Sequence, residues 1–378
     1  MNKVPLTWRM LTHKKGRLLL AVLGIAFAVL LMFMQLGFLT GLLDNQSLFI
    51  RSLDADVVLF SPTRFNLHAD EEFPRIRVAQ ARDVPGVASA AAIRLDSAFW
   101  RAPTDPAQHV VRVVGVDPAD PALRLPGLKD SLHELHRSDT ILFDRRSRAF
   151  FGLPPVGSEV EINGVAVRVG GYVDLGADFR NDATVLTSLE GYARLFPHQP
   201  AGAASLGLVR IAPGERIEDV VARLRARLPR DVEVATKAEY EQMERSFWST
   251  MSPTGYIFTL GLAVGFVIGV MICYQVLYNE ISDHLPQFAT LKAIGFTNGY
   301  LVGVVLKESI LLALFGLAPA LLASQLFYAS MIRVSGLYME LTPARVLVVS
   351  ILTILMCASS GLLSISRVLQ ADPAEVFG

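Results

Sequence analysis

Four stretches of this chain are too long and too apolar to fold inside a water-soluble core, and they decide its class. The first, "LLLAVLGIAFAVLLMFMQLGFLTGLL" at 18–43, exceeds the roughly 20 residues that a helix needs to cross about 30 Å of hydrocarbon. Three more follow within 253–279, 301–332 and 344–366. Hydrocarbon offers no hydrogen bonds, so each such segment must satisfy its own backbone as a helix. The expected class is therefore a polytopic α-helical membrane protein with four transmembrane helices.

Charge is distributed to match. Of 35 Lys+Arg and 35 Asp+Glu, about 25 and about 29 fall between residues 44 and 252, so the mean hydropathy of +0.41 averages two different materials. One water-soluble module is set into a hydrophobic frame. Cys273 and Cys357 both lie in apolar runs, leaving the module without a thiol to oxidise. It can sit in an oxidising compartment without a disulfide framework.

Orientation follows from the basic residues. Lys3, Arg9, Lys14, Lys15 and Arg17 precede the first run with no acidic residue among them, which keeps segment 1–17 in the cytoplasm. Its "WRMLTHKKGR" is expected to lie along the membrane face. The apolar run is too long for a cleaved signal peptide and no small-x-small site follows it. Four crossings then place 44–252 and the short loop 333–343 outside, with loop 280–300 and tail 367–378 in the cytosol. Long outer loops translocate largely regardless of their arginines.

The outer module reads as α+β. Strands are expected at 54–60, 87–100 and 109–116, with a short helix near "RIRVAQAR", and a strand-helix-strand order returns in "ASLGLVRI", "ERIEDVVARLRARL" and "DVEVA". Two split βαβ halves thus flank a β-rich insertion at about 117–197. Within the insertion, Asn163-Gly164 between alternating runs predicts a type I′ hairpin. In the helix at 215–228, Ile217, Val220, Val221, Leu224 and Leu228 form the predicted apolar stripe. Arg223, Arg225 and Arg227 then make a solvated face, with no nucleic acid as partner.

Enzyme chemistry finds little support. No "GK" dipeptide occurs, so the lysine of a Walker A loop is missing. There is no G-x-S-x-G elbow and no H-E-x-x-H helix. "HELH" at 133–136 lacks a clear third metal ligand, and "DLGADFRND", with Asp174, Asp178 and Asp182, matches no Ca²⁺ loop and reads as a solvated turn. No catalytic, cofactor or metal residues are expected. More informative are Gly261, Gly265 and Gly269, which recur every four residues and let another helix approach closely. They fit packing within the four-helix unit and a homodimer seam equally well. In the third span, Lys307 can snorkel outward, whereas Glu308 must face protein or water to escape lipid.

Between the second and third spans lies "LPQFATLKAIGF" at 285–296. Pro286 can open a helix there and Gly295 can close it. Leu285, Phe288, Leu291 and Ile294 are expected on an apolar side, with Gln287, Thr290 and Lys292 elsewhere. Such a helix either rests on the lipid interface or plugs into a cytosolic partner, and periodicity does not separate the two.

The stretch "SDHLPQFATLKAIGFTNGYLVGVVLKESILLALFG" (282–316) resembles the cytosolic helix and third span of the FtsX-like ABC permeases, above all the DevC type with its D-H-L-x-[EQ]-[YF]-A-T-L-K-A-[IM]-G pattern. "ADPAEVFG" at the C-terminus resembles the ending of the wider MacB-like group. Glu308 falls where the family tends to be acidic, and Gln287 stands where many relatives have glutamate. The resemblance implies a permease subunit of MacB/FtsX-like architecture. A separate ABC ATPase, carrying ATP and Mg, would dock on a coupling helix at 285–295, contacting Leu285, Pro286, Gln287, Phe288, Leu291, Lys292, Ile294 and Gly295. Two copies would pair as a homodimer in the inner membrane. An HlyD-like periplasmic adaptor and a TolC-like outer-membrane channel would complete an exporter for lipid-like or other hydrophobic cargo. The alternative is an FtsX-like regulator that activates an outer hydrolase without moving cargo; a ligand sensor fits less well, because the cytosolic segments are too small to hold an output domain.

Overall fold

A computed structural model describes residues 15–102, 105–335 and 339–370. The N-terminal membrane-face segment up to residue 14 and the "ADPAEVFG" ending lie outside the described residues. The described part divides into two compact units, one from 15–40, 256–330 and 339–370, the other from 41–255 and 331–335. Four of its helices are long and apolar enough to cross a membrane: Leu18–Ser52, Pro253–Asp283, Asn298–Arg333 and Pro343–Ile365.

The first helix, α1 (Lys15–Ser52), does not stop at residue 43, where its apolar run ends. Its last turns bury Phe49 and Ile50 in the core of the second unit, and Asn45 and Ser47 turn their side chains back onto the carbonyls of Gly41 and Leu43. A polar side chain that bonds its own helix can be buried cheaply.

The module begins with β1 (Val57–Phe60), β2 (Phe73–Pro74), α2 (Ile76–Arg82), β3 (Val87–Ala102) and β4 (Asp105–Val116). After a short α3 (Leu128–Ser131) come β5 (Thr140–Asp144), β6 (Glu159–Ile162), β7 (Val165–Val173), β8 (Ala183–Ser188) and α4 (Leu189–Leu195). It closes with β9 (Ala203–Ala204), β10 (Leu206–Ile211), α5 (Ile217–Arg227), β11 (Glu233–Thr236) and α6 (Lys237–Ser246).

Strands β11, β1, β10 and β3 form an antiparallel sheet in that order. This is a split βαβ arrangement, with β10 of the second half inserted between β1 and β3 of the first. Helices α2 and α5 cover one face, where Val57 and Leu59 meet Val78, Val220 and Leu224. Val58 and Phe60 point the other way, against Phe49, Ile50 and Tyr240. Both faces being covered explains why β1 is an unbroken apolar run.

The insertion differs from its expected boundary of 117. β3 is 16 residues long; its first half pairs with β10, and its second half pairs with β4 and β6. The order β3-β4-β8-β5-β7-β6, with Trp100 opposite Ile162 to close the ring, makes a six-stranded barrel. Its interior holds Trp100, Val111, Ile141, Phe143, Val169 and Val185. The barrel therefore starts inside β3 and shares it with the neighbouring sheet. Asn163 (φ 49°) and Gly164 (φ 78°) form the two-residue hairpin that their dipeptide predicts. Ile217 departs from the apolar stripe: at the first position of α5 it is 39% exposed, while Val220, Val221 and Leu224 are buried. Arg223 and Arg225 are less free than expected, since they bond the carbonyls of Pro85 and Val234.

In the first unit α1 packs with α7 (Pro253–Asp283), α9 (Asn298–Ser335) and α10 (Pro343–Gln370) around Ile25, Met32, Cys273, Leu312 and Met356. The three glycines of α7 settle on helices of the same chain. A Cβ at Gly261 would strike Gln35, one at Gly265 would lie 3.5 Å from Met32, and one at Gly269 would collide with Met356 and crowd Ala28. Gly269→Leu is therefore expected to lower stability by about 1–3 kcal/mol through overpacking. Gly303→Ala, with nothing within 4 Å of the added carbon, should change it by less than about 1 kcal/mol. Thermal denaturation of the full chain in detergent checks the contrast, and equal tolerance at both positions would contradict the packing.

Candidate functional site

Between α7 and α9 lies α8 (Leu285–Ala293). Pro286 occupies its first turn, where the missing N–H has no intrahelical partner in any case. At the other end Gly295 has φ +101°. The Phe296 N–H donates to the Leu291 carbonyl and the Gly295 N–H to the Lys292 carbonyl, each at 3.1 Å. This is a Schellman cap, and it defines where the helix stops.

One face of α8 is bound down. Phe288 is 2% exposed and Ala289 fully buried. Phe288 packs with Ile281, Leu301, Val304, Val305 and Ile365, and Leu291 adds to the same cluster. A push on α8 thus reaches α7, α9 and α10 through apolar contact. Leu285 and Lys292 are half-buried, whereas Pro286, Gln287, Thr290 and Gly295 are exposed. Ile294 is the correction: it is 70% exposed, not on the apolar side. Nine residues separate it from Leu285, about two and a half turns at 3.6 residues per turn, so the two point to opposite sides. Beyond the cap, Phe296 and Tyr300 pair at 4.8 Å and are also exposed. The outward surface is therefore Pro286, Gln287, Thr290 and Ile294, extended by two aromatic rings that helix periodicity alone did not flag; their i, i+4 spacing was the available signal.

Glu308, in α9, is buried in protein, and its Oε1 has no hydrogen-bond partner among the described residues. "HELH" at 133–136 forms a 3₁₀ turn with His133 exposed and 3.4 Å from Glu134.

A second constellation went unrecognised in the sequence. Asp178, expected in a solvated turn, is buried and ion-pairs with Arg112 of β4, which lies over the Phe49 ring at 5.1 Å. Asp178 also accepts the backbone N–H groups of Arg180 and Asn181 at 2.7 and 2.6 Å. Burial would raise its pKa, but Arg112, His68 and those N–H groups outweigh it and hold the carboxyl below the usual range. His68 lies alongside: its Nε2 is 2.9 Å from Gln46 Oε1 of α1, and its Nδ1 is 3.4 Å from Asn181 Nδ2. Burial, helped by Arg112, Arg180 and Arg64 and opposed by Asp178, pushes the imidazole down to about 3. Nearby, Glu244 of α6 accepts from the Leu67 N–H at 2.6 Å and the Trp248 indole at 2.7 Å. Burial raises this carboxyl to about 7 despite both donors.

Comparison with known proteins finds two family models that match successive parts of the chain. The model of the MacB-like periplasmic core domain matches residues 18–227, over half of the 378 residues, and that of the FtsX-like permease C-terminal matches 256–373. Similar solved structures include the extracellular domain of the noncanonic ABC-type transporter YknZ from Gram-positive bacteria, at 16% identity and TM-score 0.36, covering 47% of this chain and 98% of that one. Another is the periplasmic region of MacB from Actinobacillus actinomycetemcomitans, at 13% identity and TM-score 0.38, covering 51% and 94%. A third is a domain of a permease protein from Porphyromonas gingivalis, at 15% identity and TM-score 0.33, covering 48% and 86%. No curated protein matches the chain.

His68 and Glu244 give opposite pH dependences. His68 ionises near 6.5 when unfolded but about 3 when folded, so acidification below 6.5 protonates the unfolded chain first and costs stability. Glu244 ionises near 4.5 unfolded and about 7 folded, so acidification from pH 8 to 5 protonates the folded chain first and adds stability. Each is worth about 2 kcal/mol over that range at about 1.4 kcal/mol per pH unit, and they largely cancel. Relative to the native chain, Glu244→Gln is expected to lose about 2 kcal/mol between pH 8 and 5, and His68→Gln to gain about as much. Denaturation of the full chain at both pH values measures this; parallel profiles would contradict the assignment.

Proposed function

Because this chain belongs to the MacB/FtsX-like permease family, we propose that it is the transmembrane subunit of an ABC-type exporter, receiving force from a separate ATPase at α8. ATP and Mg bind to that partner. The observation that carries this reading is the combination at α8 of a face anchored by Phe288 among three spanning helices and an opposite face left exposed around Ile294. A helix capped at Gly295 and seated in this way moves as a rigid piece and displaces the spans beneath it.

In this reading α8 faces the cytosol, both termini are cytoplasmic, and the α+β module works outside the membrane. Two copies pair through spans one and two, on faces other than the one the glycines of α7 spend within the chain. An HlyD-like adaptor and a TolC-like channel carry lipid-like or other hydrophobic cargo onward. The module then closes and opens with the ATPase cycle, doing mechanical rather than chemical work.

Ile294→Asp puts a charge in the outward face without touching the anchored one. It is expected to reduce co-purification with the cognate ATPase by tenfold or more, about 1.4 kcal/mol or above, with thermal stability unchanged. Phe288→Ala should instead lower stability, by about 3 kcal/mol. Undiminished capture and ATP turnover in Ile294→Asp would count against docking at α8.

A further inference from the structure

Segment 61–72, "SPTRFNLHADEE", is a strap without regular structure, and three elements grip it with buried polar groups. From α1, Gln46 Oε1 lies 2.9 Å from His68 Nε2. From the loop before β8, Asn181 Nδ2 lies 3.4 Å from His68 Nδ1. From α6, Glu244 holds the Leu67 N–H, while the Trp248 ring meets the imidazole edge-on at 6.0 Å. Trp248 lies in the turn at Phe247–Met251 that leads to Pro253 and the second spanning helix. The end of the first crossing helix and the approach to the second thus meet the barrel at one imidazole.

The hydrogen bonds fix its form. Gln46 offers an acceptor to Nε2, and Asn181 offers a donor to Nδ1. A neutral ring with the proton on Nε2 satisfies both. Apolar contacts slide at little cost, but a buried directional bond resists displacement, because breaking it strands a donor or an acceptor. α1 is one unbroken helix from Lys15 to Ser52, so a shift of its end is passed on at such contacts.

We propose that His68 is a coupling pin that makes the end of α1 and the barrel loop at 178–182 move together, one arm on Gln46 and the other on Asn181. The purpose of the pin rests on the transmitter reading above; the pin itself does not.

Its two arms separate experimentally. In His68→Gln the side-chain amide reaches the Nε2 position and keeps the Gln46 arm. In His68→Asn it reaches the Nδ1 position and keeps the Asn181 arm. Hydrogen exchange on the full chain in lipid nanodiscs is the readout. His68→Gln is expected to speed exchange at 178–182 about tenfold while 44–50 stay protected, and His68→Asn to do the reverse. His68→Leu should free both, and if it fails to fold, the single-arm variants still decide. Faster exchange confined to the strap, spread evenly over the module, or absent would overturn the pin. Arm-specific exchange in a chain that captures no ATPase would uphold the pin and remove the transmitter reading; normal capture without arm-specific exchange would do the opposite.

Discussion

The structure depends on a helix that must be soluble in two media. α1 satisfies every interior backbone group within itself, so it has no reason to end where its apolar run ends. Its earlier turns pack Ile25, Met32 and Phe33 among spanning helices, and its last turns pack Phe49 and Ile50 among strands. Between them, Thr40, Asn45 and Ser47 bond their own helix's carbonyls. With α1 continuous, the module's core is completed by residues that belong to the membrane helix.

Much of this was legible in the sequence, and what was not has identifiable causes. Length and apolarity marked the spans, because hydrocarbon thickness admits few alternatives. The Asn163-Gly164 hairpin was legible because a type I′ turn needs positive φ at both central positions. Misreadings arose where a residue's partner is distant in sequence. Asp178 lies in a polar, turn-rich stretch, and nothing local shows that Arg112, on the distant strand β4, draws it into the core. The barrel's boundary was misplaced because β3 serves two sheets and carries no break in its pattern. The error at Ile294 was one of phase. A run of apolar residues at every third position drifts around a helix of 3.6 residues per turn, and by the third step it has left the face where it began.

The same local reasoning separates anchoring from presentation in α8. Phe288 and Leu291 hold the helix to its own chain, so they are poor choices for contacting another one. Ile294, Phe296 and Tyr300 are apolar and exposed beside a helix cap, outside the expected spanning stretch of the third span. The glycines of α7 tell a parallel story. Their spacing allowed contact with any helix, and α1 and α10 of the same chain fill the space.

Everything proposed for this permease turns on which side of the membrane α8 faces and what covers it. The direct measurement is labelling of Gln287→Cys with a membrane-impermeant maleimide, in right-side-out and inside-out vesicles, with and without the ATPase. Reaction only from the cytoplasmic side, and protection when the ATPase is bound, is the predicted result. Reaction from the outer side, or equal reaction with the ATPase in place, would contradict a force-receiving role for this helix.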